Sequence, residues 1–223
     1  MDQPAQQDCY ADIAREDVLP FVPLDVRSVL DVGCGRGGFG RALRGLLGAQ
    51  ARLVAVEAVA SAADAARATG CFDEVFTGYF PDALSASQER FDLVCFNDVL
   101  EHMVDPAAAL TATLDVLAPG ARVLATIPNV QYAEVVRDLI RGRWTYTEAG
   151  ILDRTHLRFF TRSSMTQLFQ DAGYVVQGSH GINPIGQIWQ TDPNAPRRWL
   201  KTIVHPALGN ARYSQFVVLA RAA

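Results

Sequence analysis

Residues 29–40, VLDVGCGRGGFG, decide the fold of this chain. An apolar run typical of a β-strand leads into Asp31, and glycines then occupy every second position at 33, 35 and 37. Glycine adopts positive φ without strain and lets a ligand approach the backbone closely. A glycine-rich turn between a strand and a helix also directs backbone N–H groups towards a ligand above the strand end. The stretch therefore predicts a cofactor-binding turn in an α/β sheet.

Two kinds of cofactor compete for this turn. Gly33, Gly35 and Gly38 satisfy the dinucleotide pattern G-x-G-x-x-G, and Glu57 closes the next apolar run, where a ribose-binding acid would lie. A carboxylate at Asp31 would repel a pyrophosphate, but it suits a cationic partner. S-adenosylmethionine carries an ammonium and a sulfonium and has no phosphate, so Asp31 favours it over a dinucleotide. A tight turn without any ligand is the third interpretation.

The spacing D-x-G-x-G-x-G from Asp31 to Gly37 resembles the nucleotide loop of class I S-adenosylmethionine-dependent methyltransferases. Two later segments strengthen the resemblance. Residues 91–102, FDLVCFNDVLEH, form an apolar strand that runs into Glu-His, and residues 117–126, LAPGARVLAT, place a Pro-Gly pair before a strand. The match covers residues 28–177. It implies a doubly wound, seven-stranded Rossmann-like methyltransferase sheet with S-adenosylmethionine as methyl donor.

The resemblance also implies which residues contact the cofactor. Asp31 and the backbone of the glycine turn would hold the methionyl end, and Glu57 would accept both ribose hydroxyls. Residues after the third and fourth strands would lie near the adenine and the methyl group. The whole expected set is Asp31, Gly33, Cys34, Gly35, Gly37, Glu57, Tyr79, Phe80, Asn97 and Asp98. A solvated acid at the strand end is the alternative for Glu57, and local turn capping is the alternative for Asn97 and Asp98.

Alternating strand and helix patterns continue along the chain. The predicted strands are residues 28–32, 53–56, 74–76, 91–96, 122–127, 174–177 and 216–220. Such alternation is typical of a doubly wound sheet, here in a single domain over residues 1–223. Two stretches exceed ordinary loop length: residues 129–160 predict an inserted cap, and residues 178–214 predict a second insertion before the last strand. Residues 8–20 predict an N-terminal helix.

Composition limits the functional classes. The formal charge of −4 gives no basic surface, so no nucleic-acid partner is expected. The four cysteines lack C-x-x-C spacing and lie mostly in apolar runs, which favours buried thiols and a reducing compartment. The N-terminus is polar, and no apolar run reaches transmembrane length. We expect a cytoplasmic protein, monomeric or homodimeric, that acts on a small-molecule or glycan acceptor.

His156, within the expected cap, is the leading catalytic candidate, with His102 and Asp98 beside the end of the fourth strand. Methyl transfer to a hydroxyl needs alignment and proton removal, which an imidazole performs near neutral pH. Asp98-x-x-Glu101-His102, followed by His156, also resembles the metal-binding set of small-RNA 3′-terminal 2′-O-methyltransferases and of ubiquinone-pathway O-methyltransferases. That resemblance implies a divalent ion, but Asp98 is shorter than the glutamate of that set, and no metal is expected.

The cap carries a narrower resemblance. Residues 142–146, GRWTY, and 150–161, GILDRTHLRFFT, resemble methyltransferases encoded among bacterial polysaccharide-biosynthesis enzymes, which implies a sugar hydroxyl as acceptor. Residues 137–162 contain six arginines and three acids, a net charge of +3 in an acidic chain. Arginine suits bidentate contacts to a diphosphate-linked sugar. Ion pairs within the cap are the competing explanation.

The first functional interpretation is a methyltransferase that acts on a hydroxyl of a sugar, nucleotide sugar or glycan precursor. Within the same class, the alternative acceptor is a quinone, phenol or secondary metabolite, with a metal ion assisting. Two other classes remain. Asp31 and the Glu101-His102 pair argue against a nicotinamide-dependent oxidoreductase, and the intact glycine turn with Glu57 argues against a non-catalytic binding subunit.

Overall fold

A computed structural model describes residues 13–185 and 208–223. The seven strands are β1 Ser28–Val32, β2 Arg52–Glu57, β3 Glu74–Thr77, β4 Phe91–Asn97, β5 Leu117–Pro128, β6 Tyr174–Pro184 and β7 Tyr213–Ala222. They form one sheet in the order β3-β2-β1-β4-β5-β7-β6. Strands β1 to β5 are parallel, whereas β7 runs antiparallel to both β5 and β6. The strand order reverses between β1 and β4, which opens a crevice at their carboxyl ends.

Helices cover both faces of this sheet. The α-helices are α1 Gly38–Leu47, α2 Ala60–Ala68, α3 Pro106–Thr113, α4 Ala133–Ile140 and α5 Arg162–Asp171. Short 3-10 turns occupy Leu19–Phe21, Asp82–Leu84, Leu100–His102, Leu114–Val116 and Gly209–Arg212. Asp105 begins α3 because its carboxylate accepts the backbone N–H of Ala108 at 2.9 Å. No helix among the described residues has the length and apolar character needed to cross a membrane.

Two apolar cores lie on opposite faces of the sheet, because neighbouring residues of a strand point to opposite sides. Leu30 packs into one core with Phe96 and Phe216. Val29 packs into the other core with Leu93. Strand β4 is buried along nearly its whole length, as expected of a strand covered on both faces. Both cores therefore hold β1 and β4 firmly, and with them the residues that follow each strand.

The hairpin of β6 and β7 is longer than the sequence predicts. Its pairing runs from Tyr174 opposite Ala222 to Pro184 opposite Tyr213, so the strand does not end at residue 177. Backbone pairing with β7 continues through the polar and glycine residues of β6, whose composition signals a loop. The expected insertion over residues 178–214 therefore begins and ends inside strands, and its central part lies outside the described residues.

The N-terminal segment also differs from its prediction. Residues 13–20 contain turns and the start of a 3-10 turn rather than an α-helix, and residues 8–12 lie outside the described residues. Arg15 has a φ of 49°, which no α-helix accommodates. Its side chain reaches the carboxyl ends of β4 and β5 instead, as described below. The apolar residues bounded by prolines thus belong to a non-helical segment that lies against the carboxyl ends of β4 and β5.

Candidate active site

A cavity of about 1670 Å³ opens at the carboxyl ends of the parallel strands. Its walls come from the β1–α1 turn, the ends of β2 and β4, and residues 148–156 of the cap. Every candidate residue of the sequence analysis except Gly37 lines this cavity; those lining it are Asp31, Gly33, Cys34, Gly35, Glu57, Tyr79, Phe80, Asn97, Asp98, His102 and His156. The fold therefore brings together groups that lie more than a hundred residues apart in the sequence.

The β1–α1 turn is built around glycine backbone and Glu57. Gly33 has a φ of 73°, and a Cβ there would lie 2.5 Å from Cγ2 of Val99, so only glycine fits. The Glu57 carboxylate accepts the N–H of Gly35 at 2.8 Å and that of Val59 at 2.9 Å. These two bonds fix the carboxylate at the end of β2, and each oxygen keeps a lone pair that can accept a hydroxyl.

Asp31 is a buried carboxyl beneath this turn. It is 2% exposed, and its Oδ2 has no hydrogen-bond partner. Burial, and then the charge of Glu57, raise the pKa of Asp31 to about 8. A cationic group in the cavity would satisfy this oxygen and return the carboxyl to its ionised form. Cys34 lies beside it as a buried thiol whose pKa is also raised, chiefly by burial.

The residues after β3 and β4 form the opposite wall. Tyr79 is 74% exposed, while Phe80 packs edge-on against Phe96 with ring centroids 5.8 Å apart. Both amide atoms of Asn97 are buried without a hydrogen-bond partner, so they are available to a ligand. This wall thus offers an aromatic edge and an unsatisfied amide to the same cavity.

Glu101, His102 and His156 form a compact group that we call the histidine cluster. One potential ligand atom from each residue lies within 4.8 Å of the others. The two imidazole rings meet edge to face at 4.7 Å, and Nε2 of His156 lies 4.0 Å from Oε1 of Glu101. Nδ1 of His156 donates to the carbonyl of Ile151 at 3.0 Å, so Nε2 of the neutral ring presents its lone pair to the cluster.

Burial dominates the electrostatics of the histidine cluster. Glu101 is 1% exposed, and neither of its carboxylate oxygens has a hydrogen-bond partner. Burial, followed by the charge of Asp98, places the pKa of Glu101 well above its ordinary value. Burial also lowers the pKa of His102, with His156 as the second cause. Two imidazoles and an unsatisfied buried carboxylate fit a divalent cation, which would replace the missing partners of Glu101.

Asp98 stands apart from the histidine cluster, contrary to the four-residue set that the resemblance implies. Its carboxylate forms an ion pair with Arg15 and accepts hydrogen bonds from Oγ1 of Thr126 and Nε2 of Gln215, both at 3.0 Å. Sequence reasoning missed Arg15, Thr126 and Gln215. No local pattern marks them, because they come from three distant segments that meet only in the fold.

Comparison with known proteins places this chain in a family. The family model described as methyltransferase domain matches residues 7–178. The chain belongs to this family. It is similar to the ubiquinone biosynthesis O-methyltransferase of Dinoroseobacter shibae, with 28% identity over 191 residues that cover 80% of this chain and 73% of the relative. The ubiquinone biosynthesis O-methyltransferase of Cereibacter sphaeroides is 27% identical over 82% of this chain and 74% of its own length.

Solved structures show the same fold. An S-adenosylmethionine-dependent methyltransferase from Archaeoglobus fulgidus superposes with a TM-score of 0.66 at 15% identity, covering 92% of this chain and 90% of that one. The O-methyltransferase NcsB1 of neocarzinostatin biosynthesis, solved with S-adenosylmethionine and a hydroxynaphthoic acid, gives 0.55 at 17% identity, covering 88% and 49%. The prediction of a Rossmann-like, S-adenosylmethionine-dependent methyltransferase is confirmed, and it replaces the nicotinamide-dependent and non-catalytic alternatives. These relatives do not support the polysaccharide-biosynthesis subgroup.

Proposed function

We propose that this methyltransferase transfers its methyl group to a hydroxyl of a quinone- or phenol-type small molecule. The observation that carries the proposal is the histidine cluster, which lies in the cofactor cavity and presents base and ligand atoms to an acceptor oxygen. The similarity to ubiquinone biosynthesis O-methyltransferases supports this acceptor class over a sugar. The sugar hydroxyl that the cap motifs imply becomes the second candidate acceptor.

The cofactor fits the cavity residue by residue. The unpartnered oxygen of Asp31 suits the ammonium of the methionyl end, and the glycine turn leaves room for its backbone. Glu57, held by two backbone N–H groups, accepts the two ribose hydroxyls. Asn97, Tyr79 and Phe80 line the remaining wall, and they would face the adenosyl part of the cofactor. When bound, S-adenosylmethionine supplies an electrophilic methyl group on a positively charged sulfur.

The histidine cluster then handles the proton of the acceptor. The lone pair on Nε2 of His156 would accept the hydroxyl proton, which frees the acceptor oxygen to take the methyl group as the carbon–sulfur bond breaks and S-adenosylhomocysteine leaves. His102 lies beside it, with Nδ1 3.3 Å from the carbonyl oxygen of Thr155. A divalent cation held by Glu101 and the two imidazoles would lower the pKa of the hydroxyl, which is the chemistry such an ion supplies. In either case the cluster fixes where the oxygen sits.

Part of the charge of the cap is paired within the cap. Asp138 pairs with Arg143 at 2.6 Å and with Arg137 at 3.3 Å, and Glu148 pairs with Arg154 at 2.9 Å. Residues 137–162 still keep a net charge of +3, because they hold six arginines and three acids. The charge of the cap therefore does not decide between the two acceptor classes, and the choice of a phenolic acceptor depends on the similarity to ubiquinone biosynthesis O-methyltransferases.

An acceptor screen tests the proposal. The purified protein with S-adenosylmethionine is offered 3,4-dihydroxybenzoate, a hydroquinone and a uridine-diphosphate sugar, each with and without EDTA, and S-adenosylhomocysteine formation is measured. We expect turnover with the phenolic acceptors alone, and its loss in Glu101→Gln with cofactor binding unchanged. Turnover with the nucleotide sugar alone would overturn the acceptor class. Inhibition by EDTA, restored by a divalent ion, identifies the metal-assisted form of the reaction.

A further inference from the structure

The wall of the cavity next to the histidine cluster contains an unusual polar network. Among the described residues, the three non-glycine residues with positive φ are Arg15 at 49°, Asp98 at 56° and Asn183 at 52°. All three belong to one hydrogen-bonded set, which we call the Arg15 network: Arg15, Asp17, Asp98, Thr126, Asn183 and Gln215. Strained backbone persists where the surroundings enforce it and concentrates at functional sites. The network is therefore a built part of the cavity wall.

Arg15 is the centre of this network. Its side chain is 10% exposed, and each of its guanidinium nitrogens has a partner. Nε contacts Asp17 at 3.1 Å, Nη2 contacts Gln215 at 3.3 Å, and Nη1 is paired with Asp98. With Oδ1 held by Thr126 and Gln215 as well, the Asp98 carboxylate is fully engaged on the side of β5 and β7.

Asp98 nonetheless faces the same cavity as the histidine cluster. It precedes Glu101 by three residues, and both residues line that cavity. Neither carboxylate oxygen of Glu101 has a hydrogen-bond partner, whereas Asp98 is held by Arg15, Thr126 and Gln215. The two carboxyls therefore differ in whether protein groups already occupy their oxygens.

We propose that Arg15 is a positioning residue that withholds the Asp98 carboxylate from the histidine cluster and so limits a divalent cation there to three protein ligands. Three ligands leave open positions on the ion, which two adjacent oxygens of a chelating acceptor can fill. The consequence for an acceptor rests on the proposed function, whereas the effect of Arg15 on the cation does not. Arg15 thereby determines the charge and the coordination number of the site.

The test measures the affinity of the protein for Mn²⁺ alone, without cofactor or acceptor, by titration followed with electron paramagnetic resonance. Arg15→Met keeps the aliphatic stem, removes the charge and leaves Asp98 uncompensated. We expect Mn²⁺ affinity to rise about 10-fold, because the uncompensated carboxylate of Asp98 attracts the cation. Arg15→Met/Asp98→Asn should return to the wild-type value. Asp17→Asn, which alters the other carboxylate partner of Arg15, is the matched control and should not change Mn²⁺ affinity.

The outcomes separate this inference from the proposed function. Unchanged Mn²⁺ affinity in Arg15→Met, a gain that persists in the double variant, or no Mn²⁺ binding by any variant would overturn it, whatever acceptor the enzyme methylates. Circular dichroism and binding of S-adenosylhomocysteine report whether each variant folds. Arg15→Gln removes the charge but can still hydrogen-bond to Asp98, so it should raise Mn²⁺ affinity less than Arg15→Met does.

Discussion

At the scale of single residues, the protonation geometry of His156 yields the sharpest prediction. Its Nδ1–H is used by the carbonyl of Ile151, so Nε2 is the atom that faces Glu101 and an acceptor. In the metal-free form of the reaction, where Nε2 of His156 is the proposed general base, His156→Gln should lower kcat by about 10²–10⁴-fold while the Kd for S-adenosylhomocysteine stays unchanged. His180→Gln is the control, because His180 stacks on Phe21 outside this cavity. An equal loss of kcat in both variants would show that His156 is not the general base.

The identity of the site residues could be predicted unevenly. Asp31 and Glu57 lie at the carboxyl ends of two strand patterns, and the carboxyl ends of parallel strands share one edge of the sheet, so local sequence suffices to place them. The sequence predicts Asp98 as a catalytic and cofactor-contacting residue, but it does not predict the ion pair of Asp98 with Arg15. That pairing joins positions 83 residues apart, and the sequence carries no periodic signal for it.

At the scale of elements, the glycine turn separates two costs of adding a side chain. Gly33 and Gly35 both have left-handed backbone, but a Cβ on Gly33 meets Val99 at 2.5 Å and one on Gly35 meets nothing within 4 Å. Gly35→Ala should therefore cost about 1–2 kcal/mol from backbone strain. Gly33→Ala should cost about 1–3 kcal/mol more from overpacking. Urea denaturation measures both values, and Gly33→Ala/Val99→Ala should recover part of the difference. Equal costs for the two glycines would contradict the crowding at Gly33.

The cap contributes an aromatic group that packs against His156, the proposed general base. Trp144 meets Phe159 at 5.3 Å, and Phe159 in turn meets His156 at 6.3 Å. Trp144→Ala should raise the KM for the acceptor several-fold and leave the Kd for S-adenosylhomocysteine unchanged, because the cofactor residues lie on other elements. Steady-state kinetics and calorimetry provide the two values. Ile140→Ala, at an 81% exposed position of α4, should alter neither, and a matching KM change there would assign the effect to general loosening of the cap.

Helices, strands and turns could be predicted from the sequence where the residues of the element itself carry the signal. The β1–α1 turn and the apolar β4 carry their signals within a few residues, and the structure has both where the sequence predicts them. Strand β6 continues beyond residue 177 because β7 pairs with it, and the segment around Arg15 is shaped by its contacts with β4 and β5. Partners that are distant in the chain decide these elements, which local patterns do not encode.

At the scale of the whole molecule, we expect the proton on Asp31 to link stability to cofactor binding. The folded pKa of about 8 exceeds the ordinary value of 3.8, so between about pH 4 and pH 8 the folded chain binds a proton that the unfolded chain has lost. The free energy of unfolding therefore falls as pH rises through this window. The ammonium of a bound cofactor favours the ionised carboxyl, so S-adenosylhomocysteine binding near pH 7 should release a proton.

This linkage gives a prediction for the intact protein. Its melting temperature without cofactor should fall between pH 6 and pH 8.5, and Asp31→Asn should flatten part of that slope, since an amide has no proton to lose. Each kcal/mol corresponds to about 2–4 °C in a chain of this size. Calorimetry of S-adenosylhomocysteine binding in buffers of different ionisation enthalpy measures proton release, which should vanish in Asp31→Asn. Asp64→Asn, at a 76% exposed side chain, is the control. The raised pKa of Glu101 also makes the melting temperature fall as pH rises, so only the difference between wild type and Asp31→Asn reports on Asp31. Identical slopes of melting temperature against pH in the two proteins would show that the Asp31 carboxyl is ionised without a ligand.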